Sequence, residues 1–188
     1  EDRIRGGKVT APVYFIHRKR LQRIMAKSDS FFIRASTATN GTTYAQTSID
    51  LGAYVDALGK SVLRIHNIAV QYGSPMNVPS ATPSSVAASV FQLTTQSQSA
   101  SVSASNKSLI SSGQLTVTAD AAGDILQIVE TQDIAPQMWK NGYLIGVEQI
   151  YLGVDQNADR VDEINLVLEC TVETLNASAA MALALSQQ

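Results

Sequence analysis

From residue 31 to residue 175 the chain repeats one texture: short runs rich in β-branched and aromatic residues, each closed by Gly, Pro, Asn or Ser. Successive side chains of a strand point to opposite faces, so a run that alternates apolar and polar residues belongs to a half-buried sheet. Eight runs fit, at about 31–38, 44–54, 62–72, 88–97, 109–119, 125–131, 143–154 and 164–175. Short strands at regular spacing, separated by turn residues, predict an all-β sandwich or barrel.

Three runs carry most of this reading. In 164–175, Leu166, Leu168, Cys170 and Val172 alternate with Asn165, Glu169, Thr171 and Glu173, which predicts one buried face. In 62–72 the apolar set is Leu63 and Ile65, then Ile68, Val70 and Tyr72. The phase slips by one residue at His66-Asn67, the signature of a β-bulge. The run 143–154 is apolar at nearly every position, so it is expected in mid-sheet with both faces covered, or at a subunit contact. Between strands, 73–85 holds three of the five prolines and predicts an extended loop. The polar, repetitive 97–105 predicts an exposed loop or flexible hairpin tip. The uncharged tail 176–185 reads as a short helix or an extended arm, in either case packed on something.

The segment ahead of the strands differs in kind. Residues 1–34 hold nine Lys/Arg against three acidic residues, a charge of +6, whereas the remainder carries −8. Asymmetry of this kind marks a basic arm, residues 1–30, on an acidic body, residues 31–188, and usually means an anionic partner for the arm. Pro12 near a helix start and Ser28-Asp29-Ser30 at its end predict an N-terminal amphipathic helix. On it Arg18, Lys19, Arg20, Arg23 and Lys27 are the candidate contacts to nucleic acid or another interior partner, while Leu21, Ile24 and Met25 are candidate subunit contacts. Three partners suit the helix: phosphates, the acidic body of a neighbouring copy, or an anionic membrane surface. The sequence opens on Glu1, which reads as a processed start or as the first ordered residue.

Little here suggests catalysis. The two histidines, His17 and His66, and the single cysteine, Cys170, are not placed together by any spacing, and Cys170 sits on a face expected to be buried. No Gly-rich phosphate loop, dinucleotide fingerprint or G-x-S-x-G elbow occurs, so an enzyme and a small-molecule substrate are not expected. The acidic stretch 155–163 places Asp155, Asn157 and Asp159 at the spacing that opens an EF-hand loop. Arg160 then stands where that loop needs Gly, and Leu166 where it needs a bidentate Glu. What remains is a looser Ca²⁺ site as the one candidate cofactor, against a solvated acidic turn.

Only 16% of residues are charged, with Ser, Thr, Ala and Gln filling the gap, which suits a surface covered by neighbours. A basic, partly helical arm followed by some eight strands and no catalytic set resembles the small single jelly-roll capsid proteins of icosahedral viruses. That resemblance implies an eight-stranded jelly-roll β-sandwich in a virion, a shell made of copies of itself, and an arm turned towards the genome. A related arrangement, in which the jelly roll stands in a shell beside other capsid proteins and around an internal membrane, gives the helix lipid to meet. The competing class is a cell-surface β-sandwich adhesion module, or a surface-layer or filament subunit.

Overall fold

A computed structural model of the chain describes residues 27–56, 60–75, 81–158 and 161–188. Among these residues nine strands run in the order β1 (Phe31–Ala38), β2 (Ala45–Asp50), β3 (Ser61–Tyr72), β4 (Val86–Thr94), β5 (Leu109–Ala119), β6 (Ile125–Ile134), β7 (Tyr143–Ile145), β8 (Gln149–Gln156) and β9 (Glu163–Thr174). A helix, α1 (Ala177–Ser186), closes the chain.

The strands form two antiparallel sheets, one ordered β1-β9-β3-β7 and the other β2-β8-β4-β5-β6. The ladder pairs nest: β1 with β9, β2 with β8, β3 with β7, and β4 with β5. With β6 set aside, this is one long hairpin rolled up across two sheets, the jelly roll. β6 is an addition at the edge, paired with β5 alone among the described residues.

Alternation explains the core. On β9, Ile164, Leu166, Leu168 and Cys170 are buried and face Phe91, Leu93, Leu152 and Val154 of the other sheet within one apolar cluster. Cys170 behaves as a small hydrophobe there, and its surroundings push the thiol up to about 12. The register of β3 against β9 shifts between Ile65 and Asn67, so His66 is the extra residue that the phase slip predicted.

The run 143–154 is not one strand. It breaks at Gly146-Val147-Glu148 into β7 and β8, which belong to different sheets, and this raises the strand count from eight to nine. Ile145 fills the core from one sheet, and Ile150, Leu152 and Val154 from the other. The break falls where the backbone passes under α1: a Cβ on Gly146 would lie 3.0 Å from Leu183. The tail is a helix, capped by the Asn176 carboxamide accepting from the Ala179 N–H at 2.8 Å, with Ala180 and Ala184 buried against the body.

The segment 97–105 is an exposed loop as expected, yet it is held in place. The carboxamide of Gln92 donates to the Val102 carbonyl at 2.6 Å and accepts from its N–H at 2.8 Å, and the Gln98 N–H donates to Gln46 Oε1 at 2.8 Å.

Gly113 of β5 stands opposite Phe91, whose ring occupies the space a side chain would take. A Cβ there would come 2.8 Å from Phe91 Cε1 and would also strike the Thr131 carbonyl of β6. Gly113→Ala is therefore expected to overpack the site and destabilise the fold by about 2 kcal/mol. For a domain of this size that lowers Tm by about 4–8 °C in a calorimetric or circular-dichroism melt, and an unchanged Tm would refute the packing argument.

Candidate functional site

The arm joins the body at the far end of β9. The Ser28 N–H donates to the Val172 carbonyl at 3.0 Å, the Val172 N–H donates to Ser28 Oγ at 2.9 Å, and Lys27 forms an antiparallel bridge with Glu173. Lys27, expected as the last turn of the basic helix, is thus extended and already part of the sheet.

Glu173 is almost fully buried, so its carboxylate must be paired. Arg64, from β3, supplies a two-pronged contact, with Nε and Nη2 donating to the two carboxylate oxygens at 2.7 Å each. The third guanidinium nitrogen, Nη1, donates to the Asn141 carbonyl at 2.6 Å. Lys27 Nζ stands farther off, 3.8 Å from Glu173 Oε1, and half exposed, where an ion pair contributes little. His66, the bulge residue, places Nε2 2.9 Å from Thr171 Oγ1.

These charges act on one another. The hydrogen bonds from Arg64 hold the Glu173 carboxyl below the usual carboxylate range, with the Lys27 and His66 charges adding to the effect. Burial, then the positive charges of Lys27 and Arg64, push the His66 imidazole below its ordinary value. The arm root therefore holds an imidazole that gives up its proton more readily than usual beside a carboxylate locked by Arg64.

Of the residues singled out in the sequence, Lys27 alone of the basic five is placed. Arg18, Lys19, Arg20 and Arg23, with Leu21, Ile24 and Met25 and the helix that carries them, lie outside the described residues, as does His17. Cys170 and Thr171 alternate across β9, so the Cys170 thiol faces the core while His66 reaches the opposite face. They form no catalytic pair.

In the acidic turn, Asp155 Oδ2 accepts from Ser101 Oγ at 2.7 Å. The Asn157 carboxamide accepts from the Ala88 N–H at 2.8 Å and donates to the Val86 carbonyl at 3.2 Å. Asn157 thereby extends the β4–β8 ladder with its side chain, a structural use that the D-x-N-x-D spacing did not suggest. Asp159 lies outside the described residues, and among those described no group of three His, Cys, Asp or Glu side chains could hold a metal ion.

Sequence reasoning also missed Gln187, the buried residue just past α1. Its side chain donates to the Leu144 carbonyl at 2.7 Å and accepts from the Gly146 N–H at 2.8 Å, and its own carbonyl accepts from Thr95 Oγ1 at 2.9 Å. One glutamine thus ties the helix to the β7–β8 corner and to the end of β4.

No family model and no curated protein matches the chain. Among solved structures, it is similar to one titled Desmodium yellow mottle tymovirus, with 10% identity over 93% of this chain and 94% of that one and a TM-score of 0.37. It is also similar to one titled turnip yellow mosaic virus, with 12% identity over 92% and 90% of the two chains and a TM-score of 0.33.

Removing one partner of a desolvated ion pair leaves the other charge uncompensated, so Glu173→Ala is expected to destabilise the fold by about 3 kcal/mol, read as a shifted urea midpoint. The shifts on Glu173 and His66 act in the same direction. Each group binds its proton more weakly when folded, so each contribution is complete above the unfolded pKa and is lost as pH falls through the lower folded value. Stability should therefore begin to decline below about pH 6.5 through His66 and fall further below about pH 4.5 through Glu173. In His66→Gln the first decline should disappear while the second persists.

Proposed function

We propose that this chain is a structural subunit of a virion capsid, associating with copies of itself into a closed shell whose interior faces the basic N-terminal segment. The observation that carries the reading is the nested strand order, β1-β9-β3-β7 against β2-β8-β4-β5, because the jelly roll is an architecture of viral capsid domains. Lectins and cupins share it, but their work needs a ligand or metal site. Here the space between the sheets is packed with Phe91, Leu93, Ile110, Ile145, Leu152 and Leu166. The single thiol is sealed in that core, which supports a structural role over a catalytic one.

The charge partition supplies the second support. Lys/Arg clustered ahead of β1 suit the sequence-independent neutralisation of phosphates, with counterion release as the driving force. The arm root sits on β9 beside a carboxylate already paired with Arg64. Nucleic acid is the partner we assign, with the acidic body of a neighbouring copy and an internal membrane as the alternatives.

Purified protein viewed by negative-stain microscopy is expected to form closed shells; filaments or monomers alone would point to a surface-layer or adhesion subunit instead. Deleting residues 1–26 spares the Lys27 bridge. If Arg18, Lys19, Arg20 and Arg23 each meet a phosphate, the slope of log affinity against log salt for duplex DNA should fall by about 3–4. An unchanged slope would remove nucleic acid as the arm's partner.

A further inference from the structure

We infer that β6 is an assembly edge, which adds across a two-fold axis to β6 of a second copy and so continues the five-stranded sheet from one subunit into the next. The occupant rests on the shell-forming reading above; the surface itself rests on β6. The strand is ten residues long, β5 pairs with one of its edges, and among the described residues nothing pairs with the other. An edge of this kind offers a row of free N–H and C=O groups, which proteins normally blunt with charge, proline or shortness. The opposite edge strand of the same sheet, β2, is short and polar, and β7 in the other sheet has three residues. β6 instead opens with Ile-Leu-Gln-Ile-Val, in which Ile125, Leu126, Ile128 and Val129 are 40%, 66%, 49% and 37% exposed.

Charge selects the occupant and the direction. The body is acidic overall, and 125–129 is an uncharged run between Asp124 and Glu130, where two such bodies approach with least repulsion. Parallel self-pairing in register would set Glu130 against Glu130. Antiparallel pairing centred on Ile128 sets Glu130 against Leu126 and Asp124 against Gln132, so every acidic residue meets an uncharged one. It also brings the two overhanging Ile128 side chains together on one face. Four apolar residues from each copy fall well short of the roughly 20–30 residues a side of a stable complex, so the contact is weak between isolated subunits and gains strength by repetition.

Directly opposed residues of an antiparallel pair lie at disulfide distance, so Ile128→Cys tests the register. Cys170 is buried and does not compete. Treated with oxidised glutathione, Ile128→Cys should give a covalent dimer in most chains, while Met181→Cys, equally exposed but on α1, should not. In the charge test, L126K/I128K should keep the wild-type circular-dichroism spectrum, since both positions are exposed, and lower the yield of shells at least tenfold. Cross-linking of Ile128→Cys no greater than that of Met181→Cys, as would follow if an unlike protein occupied the edge, overturns the inference. So does normal assembly of L126K/I128K, which leaves the shell reading standing. If the wild-type chain forms no shells, the shell reading fails, and the cross-link still decides the edge contact.

Discussion

The four-stranded sheet hangs on β9. It lies between β1 and β3, contributes Ile164, Leu166, Leu168 and Cys170 to the core, and carries Glu173, to which Arg64 and the arm root are tied. β1 and β3 are joined in one sheet through it, so the last strand of the chain decides whether β1 has a partner. Nesting of the other ladders extends the dependence: β2 waits for β8, and β3 for β7, while β4 with β5 and β5 with β6 pair as near neighbours. Non-local pairing of this kind costs loop-closure entropy before any contact repays it, and it is the slow way to build a domain.

Much of the sheet was legible because alternation is a local signal. Two strand limits, 31–38 and 109–119, fall where the sequence put them, and the β3 bulge was visible as a slip of one residue in the apolar phase. The run 143–154 misled for a physical reason. Continuous apolarity says that residues are covered and is silent on what covers them, so a corner packed beneath α1 reads the same as a central strand. The Gly146 break could have been suspected from the glycine alone, but the reason for it is Leu183, thirty-seven positions away.

The polar architecture was harder to see, because its partners are remote in sequence. Nothing near Glu173 announces Arg64, 109 residues earlier, and nothing near Gln187 announces Leu144 or Thr95. Asn157 and Asp155 show a complementary ambiguity: a local spacing suggested a cation, and the same side chains also serve a strand end and a serine. Short polar motifs are ambiguous in this way whenever backbone groups compete with ligands for the same oxygens.

The place of Cys170 has a consequence for the life of the chain. A thiol is reactive as its thiolate, and in the finished fold burial, with the nearby Glu169 charge, disfavours that form, its pKa raised to about 12. Yet it belongs to the last strand of the chain, so until that strand has been made and has paired it has the ordinary reactivity of an open cysteine. The thiol is silenced by the closing of β9 between β1 and β3, which buries it in the core. The fold gives the thiol this protection without a disulfide.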